Sequence, residues 1–190
     1  MAADSIIGTR IAIVGSSGSG KSTVGEQLAG ALGLSFVELD ALYWKPGWVG
    51  SAPEEFASKV EVATSGEGWI VAGNYHQAWP VYWPRVDTVV WLDLPLPLCL
   101  SRIVARSWRR ARRRELLWET NYERFWPQLK VWSPNDSLLA WTVTRRRGLK
   151  QQVFDAVRGD PAAPSRVVRL RSSRDIDHFL RLVAPARGTS

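Results

Sequence analysis

The chain has 190 residues, of which 45% are apolar and 23% charged, a composition typical of a globular protein that is long enough for one domain with a full core. No apolar run approaches the roughly 20 residues of a membrane-spanning helix, and residues 1–5 lack a signal-peptide pattern, so we expect a cytoplasmic protein with no membrane partner. A single cysteine, Cys99, excludes an internal disulfide and a cysteine-built zinc site, while a net charge of +7 favours anionic partners.

The first predicted element is a short buried strand at residues 11–14, followed by a glycine-rich turn and a helix over 21–32. The turn fits the pattern G-x-x-x-x-G-K-[ST], whose nucleotide-binding residues would be Gly15, Ser16, Ser17, Gly18, Ser19, Gly20, Lys21, Ser22 and Thr23. Glycines let consecutive N–H groups turn towards a phosphate, Lys21 adds a positive charge, and Ser22 offers a hydroxyl to Mg²⁺. A flexible Gly/Ser linker would not need the flanking strand and amphipathic helix. The motif therefore predicts binding of ATP with Mg²⁺.

Further strands and helices alternate along the rest of the chain. The predicted strands cover 35–39, 69–72, 88–92 and 166–170, and the predicted helices begin near 52 and cover 98–114 and 175–183. Residues 115–158 look helical with breaks at Pro127 and Pro134, 159–164 form a loop, and 185–190 a frayed tail. This alternation predicts an α/β fold in which a five-stranded parallel sheet lies between two helical layers.

Ligands of such sheets gather at the carboxyl ends of the strands. The side chains there are those of the glycine-rich turn, Asp40, Gly73, Asn74 and Asp93. Asp40 is a candidate for orienting a hydroxyl or holding a metal-bound water, although its position also suits a turn or helix-capping aspartate. Asp93 is a second metal candidate and, equally, a cap before a helix.

The helix over 98–114 carries an arginine stripe at Arg102, Arg106, Arg109 and Arg113. Three interpretations stay open. The guanidinium groups could stabilise a migrating phosphoryl group, contact nucleic acid, or form a solvated basic face. The tryptophans divide similarly: Trp44, Trp48, Trp79 and Trp83 flank the expected acceptor site, whereas Trp118, Trp126, Trp132 and Trp141 are expected to pack the helical segment.

Taken together, these stretches resemble the adenylate-kinase-like family of P-loop kinases, and in particular a bacterial branch labelled DNA topology modulation proteins. The resemblance covers about residues 10–182, and its most specific stretch is Leu39-Asp-Ala-Leu-Tyr-Trp-Lys-Pro-Gly-Trp48. It implies a P-loop NTPase fold of the nucleoside and nucleotide kinase type with a helical lid. It also implies one domain over 1–190, with an acceptor-binding region at about 40–85 and an arginine-rich lid at about 106–121.

The resemblance also implies roles for single residues. Lys21, Asp40, Arg106, Arg109 and Arg113 would be catalytic. Asp40, Trp44, Gly73, Asn74 and Arg85 would bind the acceptor, and Ser22, Asp40 and Asp93 would serve the metal. One departure is Ala72, which stands where these relatives carry an aspartate that holds a Mg²⁺-bound water.

The predicted function is transfer of the γ-phosphoryl group of ATP to a small acceptor, with a nucleotide as the leading acceptor. Ala72 would weaken this phosphotransferase. The alternative is a nucleotide-binding regulatory or nucleic-acid-binding protein that acts on DNA topology with little turnover. Its binding to duplex DNA would weaken steeply with salt.

Overall fold

A five-stranded parallel sheet organises the part of the chain that the computed structural model describes, residues 7–118, 121–122, 137–158 and 164–184. The strands are β1 Arg10–Gly15, β2 Ser35–Glu38, β3 Trp44–Lys45, β4 Val49–Gly50, β5 Trp69–Ala72, β6 Thr88–Leu92, β7 Leu116–Leu117, β8 Asn121–Tyr122 and β9 Arg166–Leu170. The helices are α1 Lys21–Leu32, α2 Leu39–Tyr43, α3 Pro53–Ala63, α4 Trp79–Tyr82, α5 Leu96–Arg113, α6 Leu138–Arg158 and α7 Ser173–Val183. The sheet order is β2-β5-β1-β6-β9, with every pair parallel, which confirms the predicted fold class.

Alternating side chains of the buried strands enter two separate cores. Ile11 and Ile13 of β1 join residues of α1 and α7 on one face, whereas Ala12 and Val14 join residues of α3, α4 and α6 on the other. Because both faces are covered, the central strands are apolar throughout, as parallel strands between helical layers require. The three layers hold the carboxyl ends of β1, β2 and β5 side by side.

The segment between β2 and α3 differs from the prediction. The extended stretch ends at Glu38, and Leu39, which is fully buried, begins α2. A small antiparallel pair, β3 with β4, then encloses a 3-10 turn at Pro46–Trp48, in which Gly47 has a φ of 76°. The Pro-Gly dipeptide marks such a turn. Asp40 therefore lies in the first turn of a short helix.

The segment after α5 is also wrong in the prediction. Arg114 adopts the left-handed conformation (φ 47°) and ends α5, and β7 and β8 follow as an antiparallel pair where a helix was expected. Pro127, Pro134, Trp126, Trp132, the tail 185–190 and most of the loop 159–164 lie outside the described residues. Across the described ranges, none of the helices combines the length and apolar character needed to cross a bilayer.

Candidate functional site

The phosphate loop, residues 15–22, connects β1 to α1 through backbone angles that favour glycine. Gly18 has a φ of 76°, and a Cβ on it would lie 2.3 Å from the carbonyl oxygen of Cys99 in α5. Gly20 has a φ of 96° and caps the N-terminus of α1. The unpaired N–H groups and the positive dipole end of α1 thus open towards this loop. The local geometry matches the anion cradle that the sequence predicts.

The ammonium group of Lys21 folds back over the loop. Its Nζ donates to the carbonyl oxygens of Gly15 (2.9 Å) and Ser16 (3.2 Å). Burial lowers the pKa of Lys21 to about 8, the charge of Arg106 acts in the same direction, and the charge of Asp40 opposes the shift. Lys21 is therefore a desolvated cation whose charge an approaching phosphate would stabilise.

A carboxylate that the sequence analysis overlooked lies beside Ser22. The Oγ of Ser22 donates to Oε1 of Glu38 (2.5 Å), and the indole Nε1 of Trp118 donates to Oε2 (3.1 Å). Glu38 pairs in register with Ala72 on β5, so both side chains leave the sheet on the α1 face. The strand period of two, counted from Phe36, could have indicated this. Position 72 has no carboxylate, but Glu38 provides one at the paired position of the adjacent strand.

Asp40 lies on the same edge of the sheet. Its Oδ1 accepts the hydroxyl proton of Tyr75 (2.6 Å), and its charge is close enough to Lys21 to raise the pKa of that amine. Burial, followed by the charge of Asp40 and the hydrogen bond to it, raises the pKa of Tyr75 far above its ordinary value. Tyr75 is therefore a permanent donor that holds the Asp40 carboxylate in place.

Gly73 and Asn74 shape the backbone of the site, the first by its lack of a side chain and the second by its amide group. A Cβ on Gly73, whose φ is 151°, would lie 2.8 Å from Cβ of Leu39, so the glycine lets the end of β5 approach α2. The amide of Asn74 donates to the carbonyl oxygen of Gly15 (2.7 Å) and accepts from the Gly15 N–H (3.4 Å). Asn74 thus braces the phosphate loop, a contact that the acceptor-binding prediction did not include.

Arg102 and Arg146 contact the phosphate loop, although neither was predicted as catalytic. Arg102 donates to the carbonyl oxygen of Ser19 (3.3 Å) and to Ser173, and Arg146 donates to Ser16 Oγ (3.5 Å) and to the carbonyl oxygen of Leu94 (2.8 Å). Of the predicted set, Arg106 lies near Lys21, whereas Arg109 and Arg113 are exposed. The i, i+4 spacing predicts that these arginines share one face of the helix, but it does not predict which of them lie nearest the loop.

Two further predicted site residues, Arg85 and Asp93, have other partners in the structure. Arg85 was expected on the acceptor side, but it donates to the carbonyl oxygens of Thr64 (2.7 Å) and Val81 (3.1 Å) and to Thr64 Oγ1 (2.8 Å). Its guanidinium group therefore joins α3 to α4.

Asp93 was expected to serve the metal, but its side chain, only 6% exposed, pairs with Lys150 (2.6 Å) and Arg169 (2.5 Å). Burial alone would raise the pKa of Asp93, yet the hydrogen bonds and charges of these two cations hold it below its ordinary value. Asp93 is thus a structural ion-pair centre.

Two short strands at the end of the segment predicted as a lid, β7 and β8, contact the 3-10 turn at Pro46–Trp48. We call them the lid strands after that prediction. Asn121, 2% exposed, accepts from the N–H of Trp48 (2.9 Å) and donates to the carbonyl oxygen of Lys45 (3.0 Å). The indole N–H of Trp48 donates to the carbonyl oxygen of Tyr122 (3.1 Å). Only a pairing pattern across more than 70 residues of sequence could have revealed these contacts.

The candidate tryptophan Trp44 lies in a series of perpendicular ring contacts. Its ring centroid is 5.6 Å from that of Trp48, which is 5.8 Å from that of Trp118. We call these three side chains the indole wall. Trp79, the first residue of α4, and the buried Trp83, in contrast, stack on each other at 4.3 Å beside the core.

Comparison with known proteins points to one class of enzyme. Residues 17–61, about a quarter of the chain, match the family model described as shikimate kinase. A shikimate kinase of Synechococcus elongatus is 32% identical over 111 residues, which span 50% of this chain and 58% of that protein. The chain thus matches little more than half the length of this curated relative.

Solved structures of two kinases share the fold. A gluconokinase from Sinorhizobium meliloti 1021 superposes with a TM-score of 0.51 at 16% identity, over 93% of this chain and 89% of that one. A shikimate kinase from Acinetobacter baumannii in complex with shikimate gives 0.51 at 21% identity, over 92% and 90%. These similarities show a P-loop kinase fold. They do not extend to the DNA topology modulation branch, which stays a prediction.

Proposed function

We propose that the protein is a small-molecule kinase that transfers the γ-phosphoryl group of ATP to a hydroxyl group. The observation that carries this proposal is the convergence of the Lys21 ammonium, the Ser22 hydroxyl and the carboxylates of Glu38 and Asp40 at one edge of the sheet. A nucleotide-binding module without turnover would not need two carboxylates there. The match of residues 17–61 to the shikimate kinase model supports the same conclusion.

The oxygen atoms beside α1 fit Mg²⁺. Ser22 and Glu38 offer hard oxygen ligands 2.5 Å apart, and Mg²⁺ usually takes one or two carboxylates and completes its shell with water and phosphate oxygens. Bound with ATP, Mg²⁺ would neutralise charge on the β- and γ-phosphates.

The residues of the chain have separate roles in the proposed reaction. Asp40, held by Tyr75, accepts the proton as the acceptor oxygen forms its bond to the γ-phosphorus, and the bond from that phosphorus to the bridging oxygen of ADP breaks. Lys21 and the loop N–H groups stabilise the charge on the transferring oxygens. Arg102 and Arg146 keep the loop in shape from α5 and α6.

The structure favours a hydroxyl acceptor over a nucleotide acceptor. A nucleotide needs a cation for its own phosphate, and the arginine expected on the acceptor side, Arg85, is committed to Thr64 and Val81. The arginine stripe still permits contact with a polyanion at the exposed Arg109 and Arg113, but no described feature selects nucleic acid.

The test is ADP formation with ATP and Mg²⁺ across a panel of hydroxyl compounds that includes shikimate and gluconate. At least one compound should raise the rate, and Ser22→Ala should lower the stimulated rate about 10- to 100-fold. Ser101→Ala is the matched control, because it removes the same hydroxyl group from an exposed serine of α5 outside the proposed site. If no compound raises the rate above that of ATP alone, the kinase proposal fails.

A further inference from the structure

The acceptor side, residues 38–85, has the opposite charge balance to the rest of the chain. It contains six acidic residues and three basic ones, in a protein whose net charge is +7. Two of the acids, Glu38 and Asp40, are those of the proposed site. An anionic acceptor would therefore need a dedicated cation on this side.

The two lysines of the acceptor side are already paired with one glutamate. Lys45 forms an ion pair with Glu55, and Lys59 reaches the other oxygen of the same carboxylate at 2.8 Å. Lys59 also donates to Ser51 Oγ (3.2 Å). Hydrogen bonds from Lys45 and then Lys59 lower the pKa of Glu55 to about 2. The trio is thus a closed ion-pair cluster with one positive charge shared over two ammonium groups.

The remaining candidates for an anion clamp on this side are Arg85 and His76. Arg85 donates to Thr64 and Val81 between α3 and α4, away from Asp40. His76 packs against Trp79 at 4.1 Å, and burial lowers its pKa, so the imidazole is neutral near pH 7. Every basic side chain of residues 38–85 is therefore paired or neutral.

Aromatic side chains adjoin the two carboxylates of the proposed site, because Trp118 donates to Glu38 and Tyr75 donates to Asp40. The indole wall carries Trp118 onto Glu38 and continues through Trp44 to Tyr43, whose ring lies 4.7 Å from that of Tyr75. The face of an aromatic ring is electronegative, so it attracts C–H groups and cations and repels anions. Carboxylates next to the rings accept hydrogen bonds from hydroxyl groups. This combination fits a ring that has hydroxyl groups and apolar C–H faces.

We infer that the acceptor of the proposed reaction is a polyhydroxylated compound without a negative charge, such as a neutral sugar or cyclitol, whose C–H face lies against the indole wall. This inference rests on the proposed function and adds the class of substrate to it. Asp40 accepts a hydrogen bond from the hydroxyl group that is to be phosphorylated. The lid strands hold the indole wall in place through the hydrogen bonds of Asn121.

Matched pairs of acceptors that differ in charge test this inference. Shikimate is compared with its methyl ester, and gluconate with glucitol, by the kcat/KM of acceptor-stimulated ADP formation. The neutral member of at least one pair should be preferred about tenfold or more, because a like charge near carboxylates costs at least that much. Preference for the anionic member in both pairs, or equal rates, overturns the inference.

A charge-insertion variant gives a second readout. Trp48→Arg places a cation in the indole wall at a position that is 38% exposed, and should reduce the preference for neutral acceptors about tenfold. Trp108→Arg inserts the same group at a 52% exposed tryptophan on α5 and should leave the preference unchanged. An unchanged preference in a folded Trp48→Arg variant counts against the wall as the acceptor surface.

The outcomes separate this inference from the proposed function. Stimulation by the anionic members alone overturns the inference and leaves the kinase proposal standing. If none of the four compounds, nor any of the wider panel, raises ADP formation, both proposals fall together. If a neutral compound does stimulate ADP formation, its phosphate ester should be detected by mass spectrometry in an amount equimolar with ADP.

Discussion

The phosphate side and the acceptor side of the site are built in different ways. The phosphate side is one continuous stretch, residues 15–22, shaped by glycines with positive φ angles. The acceptor side contributes Glu38, Asp40 and Tyr75, and together with Trp118 these residues come from three separate segments of the chain. A contiguous cradle recognises what all nucleoside triphosphates share, whereas an assembled surface can change one residue at a time. The residues expected to bind ATP are therefore contiguous in the sequence, whereas those expected to select the acceptor are not.

The largest expected effect is on the phosphate side. Lys21→Met should lower turnover at least about 100-fold, since a buried donor to transferring phosphate oxygens is lost. It should not lower the stability of the protein without ATP, because the charged amine is desolvated in the folded state. Turnover and urea unfolding on the same samples test both parts. Loss of stability together with turnover would show that Lys21 is structural.

The pH dependence of stability sharpens this point. The pKa of Lys21 is about 8 in the folded chain against 10.5 for a solvated lysine, so the unfolded chain keeps the proton to higher pH. The unfolding free energy of the natural chain should therefore rise relative to Lys21→Met between about pH 8 and pH 10.5, by at most about 1.4 kcal/mol per pH unit. Saturating ATP should reduce this difference. If the difference in unfolding free energy between the two chains does not change with pH across that range, the amine is not desolvated.

The next effect concerns the carboxylate where the two sides meet. Glu38→Gln should lower turnover about 10- to 100-fold and raise the Mg²⁺ concentration needed for half-maximal rate. Ala72→Asp should give no large gain, because it adds a like charge beside Glu38 in the adjacent strand. In the Glu38→Gln background, however, Ala72→Asp should restore part of the rate. A large gain from Ala72→Asp alone would show that Glu38 does not serve the metal.

A smaller effect is expected from the contact between the lid strands and the acceptor side. Asn121→Ala leaves the Trp48 N–H and the Lys45 carbonyl without this partner, and should raise the KM for the acceptor about tenfold with little change in that for ATP. Tyr122→Ala is the control, since only its backbone carbonyl bonds to Trp48. Equal changes in both KM values would remove Asn121 from the acceptor side.

The smallest effect on turnover is expected at Arg85. Arg85→Ala should lower the unfolding free energy by about 1–3 kcal/mol, because buried acceptors between α3 and α4 lose their donor, while kcat/KM stays within twofold. Arg181→Ala, an exposed arginine on α7, should change neither quantity. A selective rise in the acceptor KM of Arg85→Ala would restore the original prediction for this residue.

The same contrast explains what could be predicted from the sequence. The fold class and the phosphate loop followed from local patterns: apolar strands, glycines and the bounds of α1, which were predicted as they occur. The roles of Asp93 and Arg85 did not follow, because their partners Arg169 and Thr64 lie 76 and 21 residues away. Glu38 was not predicted, although its signal is local. The alternation of side chains along β2 places it on the α1 face, whereas the prediction considered only Asp40, the first residue after the predicted strand.

Glu38 accepts one hydrogen bond from Ser22 of α1 and another from the indole N–H of Trp118, next to β7. Any occupant that draws this carboxylate towards Ser22 changes the strength of the indole hydrogen bond, and with it the free energy of placing the wall. Affinities on the two sides are then thermodynamically linked, and the factor by which nucleotide alters acceptor binding must equal the factor by which acceptor alters nucleotide binding. One carboxylate thereby couples the nucleotide side of the proposed site to its acceptor side.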